Sequence, residues 1–274
     1  MRINLLCLFI FFSVFAVEAQ EKIKGNKNVT IAKTEVGTFH TIDLDEDFEV
    51  EIIFDQIPSV EIETDENLHQ HIEFNVIDSV LTFNKKARLR EKTLRIKVAY
   101  NGYLKHIKTT DDAEILSLTT LNLIDANVTA KGSSKVGLTI KTEKFNLEAD
   151  DRAKLKLNLT SENSNMLLSG NSKLEALVNT VNFSGTLYQR ANAEIEGSCN
   201  VAQLEQDNYS KFDGKNFTIN SCSIICNIGS DAYLEVMDSI NIEASGTSAI
   251  YLYENPKIVI DKMTDTSKLQ KRVK

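Results

Sequence analysis

The sequence predicts an all-β protein, a parallel β-solenoid with roughly 19–20 residues per coil. Three observations carry this prediction. A short motif recurs along the second half of the chain, apolar and polar residues alternate in short runs, and the composition is rich in strand-forming residues. The chain has two prolines and no tryptophan, and 42% of its residues are hydrophobic. That hydrophobic content is enough for a packed core, which argues against disorder.

The recurring motif is a small residue, then any residue, then an apolar residue, directly after a polar turn. Its nine copies are Ala113-Glu114-Ile115, Ser134-Lys135-Val136, Ala153-Lys154-Leu155, Ser172-Lys173-Leu174, Ala193-Glu194-Ile195, Ser210-Lys211-Phe212, Ala232-Tyr233-Leu234, Ser248-Ala249-Ile250 and Ser267-Lys268-Leu269. The apolar positions are 16 to 22 residues apart, with a mean near 19. This period is too short for a helix pair or a propeller blade. It suits one solenoid coil that stacks on the next at about 4.8 Å.

Each coil is expected to contain two or three short strands joined by tight turns. The stretch KVGLTI places Val136, Leu138 and Ile140 on one face, which should point inward. Polar residues three positions before the apolar anchor should form a corner. Asn171 and Asn192 occupy that position in two adjacent copies, which predicts a side-chain ladder between their coils.

Residues 36–110 follow a looser version of the same pattern. The stretch TIDLDEDFEVEIIF (41–54) alternates apolar and acidic residues, and Glu46 interrupts the alternation, which predicts a bulge or turn there. The stretch DENLHQHI (65–72) predicts one short helix, with Asp65 as its N-cap.

The first residues have the pattern of a signal peptide, assigned to 1–19. Arg2 precedes an apolar run from Leu5 to Val17, and Val17-Glu18-Ala19 fits a cleavage site. The apolar run is shorter than the roughly 20 residues of a membrane span, and no later stretch is apolar enough. An exported protein without a transmembrane segment is therefore predicted, located in the periplasm or at the cell surface. The basic tail, 259–274, is expected to cap the open end of the solenoid.

Removal of the signal peptide leaves three cysteines, Cys199, Cys222 and Cys226. An odd number means that at least one thiol is free or is paired between chains. Burial as small hydrophobic residues, one disulfide and a reactive thiol all remain open from the sequence.

The net charge of −8 argues against a nucleic-acid partner, which requires a basic surface. One stretch is nevertheless strongly basic. It contains Lys85, Lys86, Arg88, Arg90, Lys92, Arg95 and Lys97. Two interpretations stay open: a solvated face of the fold, or a docking patch for acidic glycans or lipid headgroups.

No catalytic residue, cofactor or metal site is predicted. The acidic residues that an enzyme of the β-helix type could use are Asp111, Asp112, Asp150, Asp151 and Asp231. Asp112 and Asp151 are two coils apart in the repeat, about 10 Å, and no other group converges on them. The four histidines all precede residue 107, so the body of the solenoid lacks a base that titrates near neutral pH.

Four stretches give the chain a family resemblance: FHTIDLDEDFEVEI, SVEIETDENLHQHIEF, LRIKVAYNGYLKHIKTTDDAEI and SGTSAIYLYENPKIVI. With them the chain resembles the putative auto-transporter adhesin, head GIN domain family of Bacteroidetes over residues 37–258. The resemblance implies an exported, right-handed parallel β-helix without assigned catalysis. Members of that family usually carry glycine at the position of Glu46. They also carry glycine in turns such as 111–112 and 151–152, where this chain has aspartate or arginine.

Asp78-Ser79-Val80 and Asp238-Ser239-Ile240 resemble the O-glycosylation acceptor motif of the same phylum, with Ser79 and Ser239 as the acceptors. The function predicted overall is a non-catalytic binding or adhesion-type module of the cell envelope or surface, with a glycan or an envelope protein as partner. The alternatives are a structural scaffold of the envelope and a polysaccharide-active β-helix enzyme. The sequence leaves the oligomeric state open.

Overall fold

The structure is a computed structural model that describes residues 22–274; the predicted signal peptide lies outside them. Strands β1–β11 are Lys22–Lys24, Val29–Glu35, Thr41–Leu44, Glu49–Phe54, Ser59–Asp65, Ile72–Ile77, Val80–Lys85, Arg88–Arg90, Leu94–Tyr100, His106–Thr109 and Glu114–Ser117. Strands β12–β22 are Leu121–Asn122, Asp125–Ala130, Lys135–Ala149, Lys154–Leu168, Lys173–Leu187, Asn192–Gln206, Lys211–Cys226, Asp231–Ala244, Ala249–Tyr253, Lys257–Met263 and Lys268–Lys271. The prediction of an all-β parallel solenoid is confirmed, with about nine turns.

From β14 to β19 each coil is one long strand of 14 to 16 residues rather than two or three short ones. In β14 buried and exposed residues alternate until Glu143 and Lys144, which are both exposed. These two residues mark a bend at which the alternation changes phase. The coil therefore has a first face before the bend and a second face after it, and both send apolar side chains into one core.

The tight corner of each coil holds a residue with a left-handed backbone. Gly132 (φ 69°), Asp151 (58°), Gly170 (67°), Gln189 (59°) and Asn208 (58°) occupy this place in successive coils. Glu46 and Asp111 also have positive φ, at 56° and 52°. Glycine adopts this conformation at the lowest cost. This is the physical reason why the family resemblance leads one to expect glycine at these corners.

The small residue of the motif is buried against the neighbouring coils. Its exposed fraction is 0% in Ala113, Ser134, Ala153 and Ser172. The apolar anchor two positions later lies in a parallel ladder that runs from Ile115 through Val136, Leu155 and Leu174.

Two copies of the motif lie two residues earlier in the structure than the sequence predicts. Leu174 is in register with Ala193, not Ile195, and Phe212 is in register with Ala232, not Leu234. The copies in the fold are therefore Ala191-Asn192-Ala193 and Ser230-Asp231-Ala232. In both coils the anchor is alanine, so a pattern that requires a large apolar residue at this position does not detect it.

The predicted ladder between Asn171 and Asn192 is wrong for the same reason. Asn192 lies opposite Lys173. Asparagine ladders exist elsewhere, on the second face: Asn146 Nδ2 donates to Asn127 Oδ1 at 3.0 Å, and Asn182 Nδ2 donates to Asn163 Oδ1 at 2.9 Å.

The N-terminal third departs from a simple solenoid. Strands β3 and β4 are parallel members of the stack, but β5 pairs with β2 and β9 antiparallel, and β6 and β7 form an antiparallel hairpin. The chain thus leaves the stack after β4, adds β7 and β9 to the outer side of β3 and β4, and returns at β10. The predicted short helix is a 3₁₀ helix, Glu66–His71, and the side chain of Asp65 does not cap it.

The C-terminal residues continue the stack. Strand β21 pairs with β19, and β22 pairs with β20, both parallel. The segment 259–274 therefore contains most of β21 and all of β22. Within residues 22–274 the structure contains no helix with the length and apolar character of a membrane span.

Candidate functional site

The predicted basic patch divides into paired and unpaired cations. Four of its seven members lie against carboxylates: Lys85 on Asp47, Lys86 on Glu73 at 2.5 Å, Arg95 on Glu63 at 3.4 Å and Lys97 on Glu61 at 3.3 Å. The Lys85 ammonium also lies 4.5 Å from the centre of the Phe48 ring. The structure thus does not gather all seven cations into one free surface.

Arg88 and Arg90 join two other cations instead. They lie on β8, which pairs in parallel with β1, and the register places Lys22 opposite Arg88 and Lys24 opposite Arg90. All four side chains are exposed. We call Lys22, Lys24, Arg88 and Arg90 the cationic ribbon. The sequence did not reveal Lys22 and Lys24 as partners because they lie more than 60 positions before Arg88 and Arg90. The alternation of charged and apolar residues in KIK and RLR was the available signal.

A depression of about 360 Å³ borders one end of the cationic ribbon. Lys22 and Arg88 line it together with Glu46, Asp47 and Glu91. The hydrogen bond from Lys85 holds the pKa of Asp47 below its usual range, and Arg88 adds to this effect. In contrast, burial is the main reason that the pKa of Glu46 lies above its usual value.

A second candidate surface runs along the second face of the solenoid. One outward position is an amide or a hydroxyl in seven successive coils, in register: Asn127, Asn146, Asn165, Ser184, Gln203, Ser223 and Asn241. We call these residues the neutral column. Stacked coils place such positions about 4.8 Å apart. Each side chain of this kind both donates and accepts hydrogen bonds.

A groove of about 370 Å³ lies over the middle of the neutral column. Its polar lining comes from Lys144, Asn146, Asn163, Asn165, Asn182, Ser184 and Gln203, with Ser164 below. Phe145 and Phe183 lie beneath the groove with their rings buried in the core, and Val201 is the exposed apolar side chain of its lining. Lys144 is the one ionisable residue in this lining. The arrangement can exchange hydrogen bonds with an extended ligand that carries no charge.

The first face carries a different groove, of about 800 Å³. Its lining includes the exposed apolar residues Leu116 and Leu177 and four charged residues, Lys156, Glu175, Glu194 and Glu196. Lys156 and Glu175 form an exposed ion pair at 3.3 Å. An exposed pair of this kind contributes little to stability.

The acidic residues considered for catalysis are corner residues. Asp151 Oδ2 accepts a hydrogen bond from the Gly132 amide at 3.0 Å, and Asp150 Oδ1 accepts one from the Asp151 amide at 2.7 Å. Hydrogen bonds, the largest from Ser169, hold the pKa of Asp150 below its usual range.

Asp112 does share a depression with Arg152, together with Glu46, Asp47 and Asp111. Asp151 is not among the residues that line this depression. Asp231 is farther along the stack, since it lies four coils beyond Lys154, the first residue of the strand that follows Asp151. Among residues 22–274 no group of three or more histidine, cysteine, aspartate or glutamate side chains is placed to hold a metal ion.

The two serines of the glycosylation motifs lie in different settings. Ser79 is in the two-residue turn between β6 and β7, where Asp78 and Ser79 both have positive φ. Ser239 lies within β19, and its hydroxyl donates to Ser221 Oγ at 3.2 Å. Both are half-buried, and their modification stays a prediction.

Cys199, Cys222 and Cys226 are free and buried. Burial raises the pKa of Cys199 and of Cys226 to about 12 and raises that of Cys222 as well. A thiol with so high a pKa holds little thiolate at neutral pH and is unreactive. Of the three readings left open by the sequence, burial in the core is the one that the structure supports.

Three solved structures share the fold. An adhesin, described as putative, from Parabacteroides merdae is 21% identical, with a TM-score of 0.61, and the match covers 93% of this chain and 100% of that one. A putative lipid binding protein from Parabacteroides distasonis is 17% identical, with a TM-score of 0.62 and coverage of 92% and 100%. A putative adhesin from the same species is 15% identical, with a TM-score of 0.65 and coverage of 91% and 100%.

No curated protein matches the chain. The family profile described as "Putative auto-transporter adhesin, head GIN domain" matches it twice, at residues 38–184 and 158–256, which together span most of the sequence. The resemblance predicted from the four sequence stretches is thereby confirmed. The chain belongs to the putative auto-transporter adhesin, head GIN domain family.

Proposed function

We propose that this protein is an exported, non-catalytic module of the adhesion type, and that it binds an uncharged glycan chain along the neutral column. The neutral column itself is the observation that carries the proposal. A solenoid repeats its outward positions at about 4.8 Å, a spacing comparable with one sugar residue of an extended glycan. Family membership and the putative adhesins of the same fold support the adhesion role.

The chemistry of the groove supports a ligand rich in hydroxyl groups. Asn146, Asn165 and Gln203 each offer a carbonyl oxygen and two amide hydrogens, and a sugar hydroxyl can pair with either. The three side chains are exposed and lie in one groove. Val201 adds one exposed apolar side chain to a lining that contains a single charged residue, Lys144.

A glycan array tests this function with the protein from residue 20 onward. The wild-type protein should bind a set of uncharged glycans. A triple variant, Asn146→Ala, Asn165→Ala and Gln203→Ala, should lose at least about tenfold in affinity, which corresponds to about 1.4 kcal/mol. Asn158→Ala is the matched control, since Asn158 is an exposed asparagine of β15 on the first face.

Three results would count against the proposal. Equal losses in the triple variant and in Asn158→Ala would remove the neutral column as the site. Binding of no glycan at all would favour a structural role in the envelope. Release of shortened glycan products would show that the module is catalytic.

A further inference from the structure

The cationic ribbon places four positive charges on one small surface. Residues in register on neighbouring parallel strands point to the same side, about 4.8 Å apart, and residues two apart on one strand are about 6.6 Å apart. Lys22, Lys24, Arg88 and Arg90 therefore mark a rectangle of those dimensions. The residues between them, Ile23 and Leu89, point the other way, and Leu89 packs against the core.

The backbone of the ribbon is fixed by hydrogen bonds, whereas its charged ends form no ion pair with the described residues. The Gly25 amide donates to the carbonyl oxygen of Arg90 at 3.2 Å, and Asn67 Nδ2 donates to the carbonyl oxygen of Lys24 at 3.0 Å. Within residues 22–274 none of the four cations has a carboxylate oxygen within ion-pair distance, whereas Arg95 and Lys97 of β9, the next strand along the chain, do.

Stability does not account for this arrangement. Like charges directly opposite each other on adjacent strands destabilise a sheet, and the ribbon contains two such pairs in strands of only three residues. Neutral polar residues at these positions would keep the same backbone pairing without the repulsion. A ligand anion between the two columns removes the repulsion, because it gives each cation a partner.

We propose that the cationic ribbon is a binding site for an anionic polysaccharide, one that carries sulfate, phosphate or carboxylate groups along its chain. This site is separate from the neutral column and has the opposite ligand chemistry. A polymer with repeated anions can engage the Lys22–Arg88 pair and the Lys24–Arg90 pair at once. A small ligand with a single anion can engage only one pair.

The surroundings of the ribbon favour a narrow polymer over a broad surface. Glu46, Asp47 and Glu91 border the Lys22–Arg88 end, and the Lys24–Arg90 end lies outside their depression. A flat anionic membrane would press against these carboxylates as well, on a protein whose net charge is −8. A polysaccharide chain can lie along the ribbon and avoid them. The same carboxylates would repel the phosphates of a nucleic-acid duplex.

Binding to immobilised heparin, a sulfated polysaccharide, tests the proposal with the protein from residue 20 onward. The double variant Lys24→Gln/Arg90→Gln should lose at least tenfold in affinity, with a weaker salt dependence. The matched control is Arg95→Gln/Lys97→Gln, which changes the net charge equally but removes cations that already have partners. The control should change affinity by no more than twofold.

Two further measurements complete the test. The ribbon variant should melt at the same temperature as the wild type or higher, which separates a lost site from a lost fold. Vesicles of phosphatidylglycerol and phosphatidylcholine in equal parts should bind weakly, and dextran should bind equally to both double variants and the wild type.

Equal losses of heparin binding in both double variants would overturn the proposal, because they would indicate a general charge effect. Binding to the vesicles without binding to heparin would overturn it in favour of a membrane. Absence of heparin binding in the wild type would also overturn it. None of these results bears on the proposed binding of uncharged glycans to the neutral column, which is tested with uncharged glycans alone.

Discussion

Phe212 lies in register with Ala193 on the coil before it, and Ala232 occupies the same position on the coil after it. One large side chain thus fills core space that two small ones leave free. All three residues are at most 1% exposed. The ring also contacts its own strand closely, since a Cβ at Gly214 would lie 2.5 Å from Phe212. At this position the core alternates small, large and small residues over three coils, as close packing requires.

Phe212→Ala should lower the free energy of unfolding by about 3–5 kcal/mol, because the flanking alanines cannot fill the cavity. Ala193→Leu alone should lower it by about 1–3 kcal/mol through overpacking. The double variant should lose less than the sum of the two, since the new leucine enters the vacated space. Denaturant unfolding measures all three. Strictly additive losses would mean that these residues do not share core space.

Gly132→Ala should lower the free energy of unfolding by at least about 1–3 kcal/mol, the usual cost of a strained backbone conformation. Gly132 has φ of 69°, and an added Cβ would lie 2.6 Å from the Asp111 amide nitrogen. Gly102→Ala is the control, since nothing lies within 4 Å of a Cβ there; it should stay within about 0.5 kcal/mol of the wild type. Thermal melts of the two variants that coincide would refute the left-handed corner.

The three cysteines should be inert in the folded protein. Their burial and raised pKa values leave almost no thiolate at pH 7. Ellman's reagent should therefore react with none of them under native conditions and with Cys199, Cys222 and Cys226 in denaturant without reductant. Rapid reaction of the native protein would contradict the core assignment. Fewer than three thiols in denaturant would reveal a disulfide.

The protein should become less stable as the pH falls from about 7.5 to 5, in part because of His106. Burial lowers the pKa of His106, and His40, Lys108 and Lys105 lower it further. His106 also lies opposite Thr41 and Asn127, which carry no charge. A histidine with a depressed folded pKa contributes stability that is complete above its unfolded pKa, about 6.5. This contribution is lost as the pH falls toward the folded pKa.

His106→Gln should therefore show a smaller fall in melting temperature over this pH range than the wild type. Gln70→Asn, at an exposed position of the 3₁₀ helix, serves as the control and should behave like the wild type. A fall in the His106→Gln variant as large as that of the wild type would exclude this histidine as a source of the pH dependence.

The repeat could be predicted because it is local. The small residue, the apolar anchor and the polar corner lie within five positions, and each reflects a requirement of one coil: close stacking, burial and a tight turn. The two copies with alanine anchors depend on contacts that a local pattern does not contain. Whether an anchor can be alanine depends on a neighbour such as Phe212, and that neighbour lies 19 or 20 residues away.

The fold class and the inward face of a coil could be predicted from the sequence, because alternation and period are properties of consecutive residues, and the family could be predicted from four continuous stretches. The folded structure was needed to show which polar residues share a surface. It paired Arg95 and Lys97 with carboxylates of β5, brought Lys22 and Lys24 beside Arg88 and Arg90, and aligned the neutral column from seven separate coils. The physical reason is that strand register sets which side chains meet, and register is fixed by burial in a core shared by all the coils.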